Sequence, residues 1–168
     1  MNYHMRRMDR AIKERKTMET VLKEARYVTL ALSKDNAPYL VSLSSFYDPD
    51  AECIYFHCAQ EGRKLDYMRA NPAVWGQAIL DRGYVNGECN HLYATVMFEG
   101  RVEFADSVAE KRRIMEFMFA QQERKVLGHK GVDPHKARIS SDAELRQTTV
   151  GSIVLSELTG KVSKGFEF

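Results

Sequence analysis

Six runs rich in β-branched and aromatic residues, each cut short by turn-forming residues, limit what this chain can become. They are "YVTLAL" (27–32), "YLVSLSSFY" (39–47), "CIYFHC" (53–58), "AVWGQAIL" (73–80), "LYATVMFEGRVEFA" (92–105) and "TTVGSIVLSELTGKV" (148–162). Such residues suit a pleated, half-buried surface, and runs this short with turn signals between them predict antiparallel strands. Asp35 and Asn36 in "SKDNAP" can bond their own backbone, and Pro38 forces an extended entry into the second run. "DPDAE" (48–52) turns the second run into the third, making a second hairpin, and "DRGYVNGECNH" (81–91) reads as a Gly and Asn loop. Gly100 inside the fifth run predicts a bulge or bend, where small barrels turn their corners. The expectation is a mainly β (α+β) fold, a small six-stranded antiparallel β-barrel with a few flanking helices.

Three helices are expected around it. Thr17 is placed to cap "METVLKEA" (18–25), with Met18, Val21, Leu22 and Ala25 turned inward. A second helix begins near Arg63 and ends at Asn71, because the residue before Pro72 avoids the helical region. Asp106 or Ser107 caps "VAEKRRIMEFMFAQQ" (108–122), Ser107 and Glu110 forming a capping box, and Ile114, Met115, Met118 and Phe119 form its apolar stripe. The stretch 123–147 is polar and broken by Gly and Pro, a long loop by composition. The 168 residues amount to one domain, 1–168.

The net charge of +2 is too mild to point to nucleic acid or a membrane surface. The basic start "MRRMDRAIKERK" lacks the apolar core of a signal peptide, so a cytoplasmic location is expected. Cys53, Cys58 and Cys89 are an odd set that predicts no disulfide framework. The two-residue period puts Cys53, Tyr55 and His57 on one side of their strand and Cys58 on the other, and Cys89 with His91 fits no zinc spacing, so no metal site is expected. His129 and His135, in a Pro-containing loop, share no helix face, and neither Rossmann nor Walker glycine patterns occur.

The stretch most suggestive of chemistry is "IYFHCAQEGRKLDYMRANP" (54–72): a strand, a loop with His57 and Gly62, and a helix opening on Arg63 and Lys64. Free N–H groups and the positive dipole end at a helix start favour an anion, and adjacent cations add charge-assisted hydrogen bonds. Solvated first-turn cations give the same pattern. The serines of "YLVSLSSFY", alternating with Leu40 and Phe46, are suited to line a polar cavity.

"MRRMDRAI" (5–12), "APYLVSLSSFYD" (37–48), the stretch 54–72, "YATVMFEGRVEF" (93–104) and "ELTGKV" (157–162) stand in the order of one family. The chain resembles the FMN-binding split barrels related to pyridoxamine 5'-phosphate oxidase, and within them the nitroimidazole-resistance subgroup. The resemblance implies FMN (possibly FAD) as cofactor, with its phosphate on Gly62, Arg63 and Lys64. It implies Val41, Ser42 and Leu43 against the flavin ring through backbone and hydroxyl contacts, and His57 close to the ring as proton donor or positioning group. It further implies a homodimer with flavin at the interface, Tyr93 and Thr95 reaching the cofactor from the second subunit. The implied activity passes electrons, possibly from NAD(P)H, to a small electrophile such as a nitroaromatic or quinone. A non-enzymatic flavin- or haem-binding module, with His57 as a haem ligand, is the alternative. The ending "GKVSKGFEF" lacks the arginine with which the family's oxidase holds its vitamin phosphate, so pyridoxamine phosphate is a poor substrate.

Overall fold

The computed structural model of the chain describes residues 5–127 and 141–168, side chains of 123–127 excepted. In chain order the elements are β1 (Ala11–Ile12), α1 (Arg15–Glu24), β2 (Tyr27–Lys34), β3 (Ala37–Ser44), β4 (Phe46–Asp48), β5 (Cys53–Cys58), α2 (Arg63–Ala70), β6 (Ala73–Val85), β7 (Asn90–Phe104), α3 (Val108–Leu127), α4 (Asp142–Arg146) and β8 (Thr149–Val162). One antiparallel sheet runs in the order β3-β2-β6-β7-β8-β5-β4, with β1 added beside β8. Six long strands carry it, and β1 and β4 are short additions to the six expected.

The ladder does not close, and the place where it fails to close organises the molecule. β3 pairs with β2, and β4 pairs with β5 at the opposite end of the order. A single residue, Ser45, separates β3 from β4, so one run of chain leaves one edge of the sheet and joins the other. The buried Ser45 hydroxyl donates to the Leu22 carbonyl of α1, and its N–H donates to the Arg26 carbonyl at 2.9 Å. A strand that switches partners at one residue turns a barrel corner without continuous pairing.

Inside the barrel Val28, Leu30, Leu32, Ile54, Phe56, Val96 and Phe98 pack with Val21 and Leu22 of α1 and Leu65 and Met68 of α2. Gly76 lies opposite Phe98, where an added Cβ would come within 2.1 Å of the ring, so only a glycine admits that packing. The register between β7 and β8 slips at Glu99/Gly100, the bulge expected at Gly100. Outside the barrel, α3 lays Ile114, Met115 and Met118 over Cys53, Tyr55, Phe46 and Val150. It covers the outer side of β4, β5 and the start of β8. No described helix covers the outer face of β3, β2, β6 and β7, and there Tyr27 (63%), Leu40 (66%), Trp75 (49%) and Ile79 (51%) stand exposed. Among the described residues no helix is long and apolar enough to cross a membrane.

Several boundaries differ from expectation. α1 starts at Arg15 with Glu14 as N-cap and no side-chain cap, so Thr17 sits within the first turn; Arg15 is anchored by Glu19 and Glu52. The Gly and Asn loop at 81–91 is mostly strand: β6 runs to Val85 and β7 resumes at Asn90, because cross-strand pairing satisfies the backbone of residues whose side chains stay in solvent. α3 extends to Leu127, and Ser141 with Glu144 makes a capping box that starts α4, so both ends of the expected 123–147 loop are helical. His129 and His135 lie outside the described residues.

Candidate functional site

Asp35 and Asn36 both take left-handed backbone angles (φ 50° and 61°), which defines a two-residue hairpin turn. In such a hairpin the flanking residues, Lys34 and Ala37, exchange hydrogen bonds, and the pairs alternate from there. Ala37, Tyr39, Val41 and Leu43 therefore point their backbone groups at β2, whereas Pro38, Leu40, Ser42 and Ser44 point theirs away from it. Two observations fix this phase. Pro38 has no N–H to lose at an outward position, and Ser45, one step beyond Ser44, donates inward to Arg26.

β3 ends the sheet order, so the N–H and C=O groups of Leu40, Ser42 and Ser44 face the split. Continuing the β4–β5 register (Phe46 opposite Tyr55) back by two residues would set Ser44 opposite His57; the strands part at Ser45 instead. The split is thus a wedge with its apex at Ser45. One lip is the open edge of β3. The other is His57, the loop after Cys58, and the start of α2.

α2 opens on Gly62, whose φ of +127° belongs to glycine, and no side chain caps the helix. The Gly62 carbonyl takes the N–H groups of Leu65 and Asp66, at 2.9 and 3.2 Å. Arg63 and Lys64 follow at the positive end of the dipole, Arg63 exposed and Lys64 half-buried. The Arg63 guanidinium lies 5.7 Å over the Tyr39 ring, and Tyr39 packs on Tyr67 at 5.2 Å, so two tyrosines tie the two lips together. His57 is exposed on its strand. Partial desolvation of its imidazole and, secondarily, the Lys64 ammonium disfavour the charged form and hold its pKa below the ordinary value. It is a neutral hydrogen-bonding group near pH 7, better suited to accept a proton than to donate one.

Of the residues expected to bind cofactor, the chain brings His57, Gly62, Arg63, Lys64 and Ser42 to the two lips. Ser42 turns its side chain outward, where its hydroxyl lies 3.1 Å from that of Thr29. The side chains of Leu43, buried, and Val41, half-buried, belong to the barrel core, and their backbones face β2. Tyr93 and Thr95 lie elsewhere, on β7, three strands from β3 and so about 14 Å away. The Thr95 hydroxyl donates to the Ala78 carbonyl and accepts from Gln77, each at 3.0 Å. Sequence reading missed the outward backbones of Leu40 and Ser44 and the support of Arg63 by Tyr39. Pro38 carried the signal for the first two, since a strand proline fixes the outward parity.

Cys53 lies buried under α3, Cys58 at the barrel interior, and Cys89 exposed in the β6–β7 turn. Among the described residues no group of three or more His, Cys, Asp or Glu side chains is placed to hold a metal.

Residues 14–162 match the family model of pyridoxamine 5'-phosphate oxidase, which is most of the chain. The chain belongs to the pyridoxamine 5'-phosphate oxidase family. Solved structures of similar fold include a candidate 5-nitroimidazole antibiotic resistance protein from Bacteroides thetaiotaomicron (22% identity, TM-score 0.74, covering 90% of this chain and 86% of that one). An FAD-binding protein from Mesorhizobium loti aligns at 19% identity and TM-score 0.66, over 92% and 98% of the two chains. An FAD and haem binding protein from Mycobacterium smegmatis aligns at 16% and 0.73, over 95% and 76%. No curated protein matches the sequence significantly. In this member of the pyridoxamine 5'-phosphate oxidase family, the split between β3 and α2 combines cations, an uncapped helix start and unpaired strand backbone.

Proposed function

We propose that this protein binds a flavin mononucleotide unit, as FMN or as the FMN half of FAD, in the split, and works as a homodimeric oxidoreductase. The observation that carries the reading is the pairing of an open strand edge with an uncapped, dicationic helix start. A phosphate dianion matches Arg63, Lys64 and the first N–H groups of α2. The donor and acceptor groups on the edge of a flavin ring match the alternating N–H and C=O of Leu40, Ser42 and Ser44. The residues fit the group. Bound there, a flavin supplies two-electron transfer between a reduced nicotinamide and a small electrophile such as a nitroaromatic or quinone. The chain's own part is to fix the phosphate, hold the ring edge, and offer His57 as a neutral group beside it.

The homodimer is supported by the bare outer face of β3, β2, β6 and β7, an exposed apolar surface of the kind that marks an interface. That face carries Tyr93 and Thr95, which would then meet the cofactor of the second subunit. The relatives reported as FAD-binding add to the flavin assignment. The visible spectrum of the purified protein tests it: flavin bands are expected, and a Soret band without them would replace this reading by a haem-binding module. Anaerobic oxidation of NADH or NADPH by a nitroaromatic or quinone, dependent on the bound flavin, tests the reaction; no turnover in the flavin-loaded dimer would reduce the role to binding.

A further inference from the structure

Beside α2 lies a cleft of about 490 Å³ that borders the split through the loop after Cys58 but is lined by none of His57, Gly62, Arg63 and Lys64. Gln60 and Glu61 of the loop before Gly62, Arg69 of α2, Phe104 of β7, Lys111 of α3 and Thr149 of β8 are among the residues that line it. Its volume is that of a small-molecule site. The loop that delivers Gly62 to the start of α2 is thus shared by the split and the cleft. Arg69 stands six residues beyond Arg63, about 9 Å along the helix.

The cleft has the groups that a nucleoside phosphate needs. Arg69 lies with its guanidinium 5.9 Å over the Phe104 ring, and a planar cation held on an aromatic face offers its other face to a base. Lys111 spends two of its three N–H donors on the carbonyls of Leu145 (3.3 Å) and Thr148 (2.8 Å), leaving one for an anion. Gln60 donates to the Arg146 carbonyl at 2.6 Å, which fixes its amide and frees its oxygen as an acceptor. Glu61 supplies a carboxylate suited to ribose hydroxyls. Two cations against one carboxylate leave the cleft net positive.

We propose that this cleft takes the adenosine 5'-phosphate half of FAD, which passes over the loop 60–62 from the phosphate at the start of α2. The inference rests on the flavin reading and goes beyond it, for it makes FAD the preferred cofactor and Arg69 the residue that discriminates it from FMN.

The test is titration of the cofactor-free protein with FAD, FMN and riboflavin, in wild type, Arg69→Ala and Arg69→Lys. FAD binds wild type at least about tenfold tighter than FMN; Arg69→Ala removes most of that advantage and leaves FMN within about twofold; Arg69→Lys keeps part of it. Equal affinity of FAD and FMN in wild type, or equal losses of both in Arg69→Ala, overturns the inference. Arg69-dependent binding of NADH to the FMN-loaded protein, with no preference for FAD, assigns the cleft to an electron donor and overturns it too. Preference for FMN over riboflavin without preference for FAD leaves the flavin reading standing and removes only this inference. Binding of none of the three removes both. Thermal midpoints of the variants within a few degrees of wild type confirm that the fold is intact.

Discussion

Lys64→Ala isolates the phosphate contact from everything else in the split. Lys64 is half-buried at the second position of α2, on the same lip as His57, whose pKa partial desolvation and, secondarily, the Lys64 charge hold down. Removing it deletes one charge-assisted hydrogen bond to a phosphate dianion, a loss of about 1.5–3 kcal/mol, or about tenfold to about a hundredfold in affinity. Arg63 and the uncapped N–H groups stay, so binding weakens without vanishing. Riboflavin, which lacks the phosphate, binds both forms about equally. Fluorescence titration of wild type and variant with FMN and with riboflavin reads both numbers. A second signature comes from His57: without the Lys64 ammonium its pKa rises toward the ordinary value, visible in a proton NMR titration. Equal losses for FMN and riboflavin would refute the reasoning, since they would mean that the start of α2 does not read a phosphate and that Lys64 only supports the fold.

Three further outcomes are expected. Because the His57 pKa is lower folded than unfolded, the unfolded chain binds more protons just below the ordinary histidine pKa. This group's contribution to stability is present above that value and lost as pH falls through it; denaturant midpoints at pH 8 and 5.5 should differ less in His57→Gln than in wild type. Ile79→Glu, at a position 51% exposed on the bare face, yields monomers in sedimentation that also lose flavin; a monomer still binding flavin tightly would sink the shared-interface proposal. Gly76→Ala drives a Cβ into the Phe98 ring and costs about 1–3 kcal/mol, several degrees in thermal midpoint, and Phe98→Leu in the same chain restores part of it.

The strands were legible wherever β-branched runs met turn residues, because both signals are local. The Asp35–Asn36 hairpin, the helix from Arg63 to Ala70 and the bulge at Gly100 all follow from such signals. The arm at 81–91 was not legible, since its side chains are polar on both faces and only cross-strand partners, distant in sequence, make it strand. The helix capped by Ser141 was legible in principle: "SDAE" is a capping box, masked by the Gly and Pro residues upstream. At the site, the cations and Gly62 could be read as a motif. The open edge of β3 could not, because whether a strand has one neighbour or two is decided by the order of the whole sheet.

Under the proposed function, that order would also link cofactor and partner. α3 shields the outer side of β4, β5 and the start of β8, so the exposed apolar residues gather on β2, β3, β6 and β7. β3 borders both regions: one side of its backbone pairs with β2 within the bare face, and the other opens on the split. A second copy seated on the bare face would therefore lie against the mouth of the split and exclude water from it. Excluding water strengthens the Arg63 and Lys64 contacts to a phosphate and brings Tyr93 and Thr95 of the second copy toward the slot. Under the proposed function, dimerisation and flavin binding would be coupled through β3, each raising the affinity of the other by the same factor. Added flavin should lower the protein concentration at which dimers form, and sedimentation with and without FMN measures that coupling directly.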